Sequence, residues 1–368
     1  MTALANGATF TPLGADLQSY YFAVNDVSAD GSVVTGSVGV GFATQAYRWT
    51  AATGFTGMGA VSPSATSIAR AISANGNVIV GLSNGEAFRW TPADGMTGLG
   101  NLSSFSEGAT GVSADGTVVA GIIGGESNAA VWSAGNWTLL SPLPTGRSSA
   151  AFGISGDGLV VVGRSSREDD LLGPVQEATR WVDGVPLGLG DLAGGTFFSR
   201  AQAASADGSV VVGWSNGEYR IDGAEGGWEV DLAFRWTAAD GMVALDQMSG
   251  VCCEPRGSRA VDISADGRII VGNRDGDGAT IWIDGADGVR LLDLLAAQGA
   301  TGLEGWSLAA TAISADGRTI VGLGHNASNP DRDLGWVATL DAATVPSPPS
   351  VLLLATSLAA LGLRRLRS

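Results

Sequence analysis

The sequence predicts an all-β fold: a seven-bladed β-propeller over residues 8–341, closed by its own N-terminal strand and followed by a short C-terminal hydrophobic helix. Three observations predict it. The string Ser264-Ala265-Asp266-Gly267-Arg268-Ile269-Ile270-Val271-Gly272 recurs, with variation, at 28–36, 73–81, 113–121, 155–163, 205–213 and 314–322. Successive copies start 40 to 59 residues apart, and each unit holds about four strand-like segments, as four-stranded blades require. The last unit lacks its fourth segment, while an unpartnered strand-like segment stands at the N-terminus.

Composition agrees. The 368 residues include 56 glycines with no three-residue period, which excludes collagen, and 45% hydrophobic residues, which excludes a disordered chain. A net charge of −16 argues against a nucleic-acid partner, whose phosphates need a basic footprint. The same acidity suits a solvated surface and could attract cations.

In chain order, residues 8–14 (Ala-Thr-Phe-Thr-Pro-Leu-Gly) read as a short strand. The first unit then runs from Ala23 to Ser28, turns at Ala29-Asp30-Gly31, and returns through Ser32 to Gly36. Asp before Gly suits a type I turn with Gly in the left-handed position, so these acidic residues form turns rather than ligate or catalyse. A third strand ends in Trp: Ala46-Tyr47-Arg48-Trp49 recurs as Ala87-Phe88-Arg89-Trp90, Ala178-Thr179-Arg180-Trp181 and Ala233-Phe234-Arg235-Trp236. Looser versions end at Trp132, Trp282 and Trp336, and a Trp repeated in every unit reads as packing between sheets. Fourth strands begin near Gly54, Gly95, Trp137, Gly184, Gly241 and Gly288. None follows Trp336, so residues 8–14 complete the seventh blade and leave no open seam.

Strands alternate in direction, so the Asp-Gly turns share one face with the turns between third and fourth strands. The opposite face takes the insertions Arg164–Glu177, Trp214–Leu232 and Leu323–Leu334, with the crossings 246–259 and 294–309. Long loops on one face of a rigid scaffold are where binding sites gather. The inserts of blades 4 and 5 are acidic, and Glu168, Asp169, Asp170, Glu218, Tyr219, Asp222 and Trp228 form the candidate ligand site. No cofactor is expected; calcium is the ion these carboxylates would suit, without a specific motif for it. The stretch Arg274-Asp275-Gly276-Asp277-Gly278 lacks the rest of an EF-hand loop and reads as a turn, and His325 has no nucleophile in a recognisable setting. Cys252 and Cys253 are adjacent, either a vicinal disulfide or two loop thiols, and no metal site is expected there.

Both ends carry targeting features. Ala3-Leu4-Ala5 within residues 1–7 has the small-x-small form of a signal-peptidase site, as a leader remnant or by chance. Residues 342–350 form a Pro-rich linker, and Val351 to Leu363 is an apolar run ahead of Arg364-Arg365-Leu366-Arg367. Thirteen residues span about 20 Å as a helix, short for a bilayer core of about 30 Å, which fits transient insertion with the arginines held cytoplasmic.

This tail resembles the PEP-CTERM sorting signal of exported Gram-negative proteins, with Pro346 and Pro348 in the motif, Ser347 where Glu is usual, and Arg364 and Arg365 in the basic end. The resemblance implies processing by an exosortase-like enzyme and a cell-surface or extracellular location. The repeats resemble the HAF family of extracellular repeat proteins, through Ala87-Phe88, Ala233-Phe234, the Leu-Gly-Asn/Asp-Leu phrases at 99–102 and 189–192, and Ser-Ala-Asp-Gly. That family carries no established catalytic motif. The expected function is therefore a non-enzymatic binding module for a surface glycan or protein. The alternative is a propeller-type glycoside hydrolase or lyase using carboxylates of the blade 4 and 5 inserts.

Overall fold

The computed structural model describes residues 7–14, 21–40, 43–62, 66–100, 108–124, 128–144, 146–169, 173–219, 228–246 and 256–341. Seven four-stranded antiparallel sheets follow one another around an axis. The innermost strands are Phe22–Val27, Ser67–Ile72, Gly108–Val112, Gly146–Ile154, Ser199–Ala204, Ser258–Ile263 and Trp306–Ile313. Each packs on the next, the seventh packs on the first, and all seven line an axial cavity of about 210 Å³. The ring closes as the sequence requires: Thr9–Leu13 forms the outer strand of blade 7, antiparallel to Asn329–Thr339, with Thr9 opposite Thr339 and Leu13 opposite Gly335.

The repeated string now has a physical account. In every turn the Ser hydroxyl donates to the Asp or Asn side chain two residues on, at 2.5 to 2.9 Å. The same hydroxyl accepts the N–H five residues on, so the buried Ser closes the hairpin from inside. These bonds hold the carboxyls of Asp30, Asp115 and Asp207 below the usual range; the largest contribution is the Ser32 N–H for Asp30, the Ser113 hydroxyl for Asp115 and the Ser209 N–H for Asp207. The turn glycine sits at positive φ, +66° at Gly208, which only glycine adopts freely. Adjacent turns are stitched by backbone bonds, such as Ala29 N–H to the Ala74 carbonyl and Ala74 N–H to the Ala114 carbonyl, each 3.0 Å.

The closing glycine answers a different demand. Each inner strand carries a β-bulge, which skips Asn25, Arg70, Thr110, Phe152, Gln202, Val261 or Thr311 in the ladder. The bulge brings the inner strand against the second strand, where a Cβ on Gly163 would lie 1.9 Å from the Ala150 carbonyl oxygen. The constant spacing of the two glycines therefore measures turn to bulge.

Seven hydrophobic clusters fill the ring, and each contains one of the repeated tryptophans. Trp181, Trp282 and Trp336 are fully buried, whereas Trp49, Trp90 and Trp132 are half-buried. Packing between sheets is thus the role of this position.

One expectation needs correction. Most of the blade 4 and 5 inserts is not loop: Val160–Asp169 pairs with Gly173–Val182, and Val210–Tyr219 with Trp228–Thr237, as ten-residue hairpin arms. The ladders run on beyond the wheel by continued backbone pairing, which the acidity of these stretches concealed in the sequence. The fourth strand of blade 6 is only Val289–Arg290, and the chain turns at once into the helix Leu291–Ala297. Leu291 and Leu295, four residues apart, bury one face of that helix against the seventh-blade cluster.

Candidate functional site

The long hairpins of blades 4 and 5 rise on the face opposite the Asp-Gly turns. They carry most of the candidate site predicted from sequence. Glu168 and Asp169 lie opposite Pro174 and Gly173 at the tip of the blade 4 hairpin. Glu218 faces Glu229, and Tyr219 faces Trp228, on the blade 5 hairpin. Trp228 is 47% exposed. Glu229 accepts from the Asn216 side-chain amide at 2.7 Å and from the Thr196 hydroxyl. The two sets stay on separate hairpins, and a bridge joins Gln176 of the blade 4 hairpin to Phe198, just before the inner strand of blade 5. Asp170, Asp222, Cys252, Cys253, Pro346, Pro348, Arg364, Arg365 and the tail from 342 onward lie outside the described residues. Arg274 to Gly278 is a turn: Asp275 accepts the Gly257 N–H at 3.0 Å, and Asp277 pairs with Arg256 at 3.1 Å.

What the sequence did not single out lies beside these hairpins. A cleft of about 530 Å³ opens between blades 5 and 6, lined by Arg200, Gln202, Trp214, Asp231, Arg259 and Asp275 among others. Its arginines are held flat. The Arg259 guanidinium lies 4.8 Å from the centre of the Trp214 ring, and Phe198 stacks on that ring at 5.0 Å. Arg259 also donates from Nε to Asp231 at 2.8 Å. The Arg200 guanidinium lies 3.5 Å from the centre of the Phe152 ring and donates to the Gln202 side chain at 2.7 Å. Arg164 sits 5.8 Å from the centre of the same Phe152 ring and donates to Gln176. Three guanidiniums thus share one arrangement: an aromatic platform and an acceptor that fixes the plane.

Comparison among the seven blades shows that these residues are departures from the repeat. Just beyond the closing glycine, the inner and second strands present a cross-strand pair. It is Ala23 with Ser37, Ile68 with Leu82, Gly108 with Ile122 and Ala309 with Leu323 in blades 1, 2, 3 and 7. In blades 4, 5 and 6 it becomes Ala150 with Arg164, Arg200 with Trp214 and Arg259 with Asn273. That departure is the signal by which the seven strings, set against one another, could have revealed the cleft.

Gln202 and Val261 line both the cleft and the axial cavity, so the two meet at the axis. Two carboxyls reach that cavity at the position after the bulge. Asp26 accepts the Val27 N–H at 2.7 Å and the Ile72 N–H of blade 2 at 2.8 Å. Asp262 accepts the Ile263 N–H and the Ile313 N–H of blade 7, both at 2.8 Å. Burial pushes Asp26 up to about 8, with the Asp262 charge adding to it, and burial pushes Asp262 up to about 6. Both side chains are half-buried and line the axial cavity, so these carboxyls are deep in the wheel without being fully enclosed. Among the described residues no group of three or more His, Cys, Asp or Glu is placed to hold a metal ion.

No family model and no curated protein matches the chain. Solved structures resemble it in shape. The Cps50 (Swd1) β-propeller domain of Myceliophteria thermophila superimposes with a TM-score of 0.52 at 11% identity, covering 90% of this chain and 99% of that one. An oligogalacturonate lyase from Vibrio parahaemolyticus does so with a TM-score of 0.52 at 9% identity, covering 92% and 98%. TolB from Acinetobacter baumannii matches with a TM-score of 0.43 at 13% identity over 70% of this chain, which spans 63% of its length. At such identities the first two likenesses show the fold, a β-propeller, and the fold alone.

Proposed function

We propose that the protein is an exported β-propeller that binds a ligand without turning it over, at the cell surface or in the extracellular matrix. The observation that carries this reading is the cleft between blades 5 and 6. Its polar groups are pre-oriented by aromatic stacking, and a concave site with few fixed polar groups is the usual form of a binding pocket. The location rests on the resemblance of the repeats to HAF proteins and of the tail to a PEP-CTERM signal, with an exosortase-like enzyme as processing partner. The test is an array of glycans and surface proteins probed with the full chain and with Val230→Trp, which fills the cleft. Hydrolase and lyase assays run on every ligand retained. Capture by the wild type, loss in Val230→Trp and no product support the reading; a released product overturns it.

A second reading, a glycoside hydrolase or lyase, gains support from a different place than the insert carboxylates. Asp26 and Asp262 share the axial cavity, and their raised proton affinities would suit acid and base roles at neutral pH. Against it, both oxygens of each carboxyl already accept backbone N–H groups that tie neighbouring blades. Turnover lost in Asp26→Asn and Asp262→Asn, with the fold intact, would favour the enzyme.

A further inference from the structure

The cleft reading can be taken to a ligand class. Resting on it, we propose that the ligand is an acidic oligosaccharide of uronic-acid type, lying across blades 4 to 6 with its carboxylates on Arg164, Arg200 and Arg259. Its hydroxyls would donate to Gln202, Asp231 and Asp275.

The arginines are not required by the wheel. Four blades close with small, aliphatic or hydroxyl side chains at the same cross-strand position. Only three consecutive blades place Arg there, and two of those arginines line the cleft. Each lies on or near an aromatic ring that helps to fix its plane, and each already donates to an acceptor, Arg164 to Gln176, Arg200 to Gln202 and Arg259 to Asp231 from Nε and one Nη, out of five N–H donors. A guanidinium held this way loses little freedom on meeting a carboxylate, whose two oxygens match its fork.

The acceptors narrow the class. Asp231 and Asp275 line the same cleft as Arg200 and Arg259. Dense dianions such as phosphates would face these carboxylates and a chain of net charge −16. A uronic sugar instead brings one negative charge per unit and several hydroxyl donors, which pair with Asp231, Asp275 and the Gln202 carbonyl. An acidic peptide offers carboxylates with backbone N–H donors in place of ring hydroxyls, and the oligoglutamate titration separates the two.

The experiment is calorimetric titration of the full chain with a galacturonate oligomer, its carboxyl-reduced neutral counterpart, and an oligoglutamate of equal charge. The galacturonate oligomer is expected to bind, at least about tenfold tighter than the other two, with affinity falling as salt rises. Arg200→Gln and Arg259→Gln should each weaken it about tenfold or more, with thermal midpoints within a few degrees of wild type. Arg48→Gln, in blade 1, should leave binding unchanged. Equal binding of the neutral oligomer, or tighter binding of oligoglutamate, overturns the inference. So does no uronate binding, or binding indifferent to both cleft variants. The cleft reading fails separately, if ligands retained by the wild type are retained equally by Val230→Trp.

Discussion

Closure of the wheel by the N-terminal strand makes the sharpest prediction. Deleting residues 1–13 removes the outer strand of blade 7, whose five residues pair with Gly335 to Thr339. Leu13 is 3% exposed, and burying such a side chain is worth about 2 kcal/mol. Phe10 lies edge-on to Trp306 at 5.3 Å and tilted to Trp336 at 6.2 Å, worth about 2 kcal/mol more with its burial. The ladder adds a few hydrogen bonds of about 1 kcal/mol each. The loss is then about 5–8 kcal/mol, similar to the whole net stability of many domains. It also uncovers the edge of Asn329–Thr339 and the buried Trp336. Urea unfolding followed by tryptophan fluorescence should show a truncated chain that is largely unfolded or self-associated before denaturant is added. Leu13→Ala alone should lower stability by about 2–4 kcal/mol. A truncated chain with the wild-type midpoint and m-value would refute closure by this strand.

Three further outcomes follow from the repeat and the axis. Gly163→Ala places a methyl group against the Ala150 carbonyl, and the bulge must move; a loss of about 2–3 kcal/mol by urea midpoint is expected, against almost none if the closing glycine were mere flexibility. Ser205→Ala strips the buried Val210 N–H of its 3.0 Å side-chain acceptor and removes one of the bonds to Asp207, so about 1–2 kcal/mol should be lost, measured the same way. Asp26 binds its proton more tightly folded than unfolded, so the stability it contributes is whole below its ordinary 3.8 and is lost as pH rises through about 8. Thermal midpoints of Asp26→Asn should therefore fall less than wild type between pH 5 and about 9; equal slopes would show that burial does not control this carboxyl.

The wheel was legible because its demands are local and repeated. Asp before Gly announces a turn, and Trp marks the packed third strand. Missing and extra strands at the two ends then dictate closure. The bulge itself was not legible: a single unpaired residue, such as Gln202, leaves no periodicity of its own. Nor was the extension of the blade 4 and 5 hairpins, since register across a ladder is a pairwise property and acidic residues on exposed strands look like loop. The cleft was missed for a related reason. Arg200 and Arg259 are 59 residues apart, and each resembles a solvated surface charge until the ladder sets it beside Trp214 and Asp231.

That contrast also bears on where selection for binding could act in such a fold. Turn serines, both glycines and the repeated Trp are bound by geometry, and any change there disturbs a neighbour. The bulge residue and the pair beyond the closing glycine are bound far less: across the seven blades the bulge alone holds Asn, Arg, Thr, Phe, Gln, Val and Thr. The bulge residues ring the axis, the pairs lie two residues away along the inner strands, and both can vary without unmaking the ladder. Charge and aromatic surface concentrated there in blades 4 to 6 are therefore better explained by something bound than by the needs of the wheel.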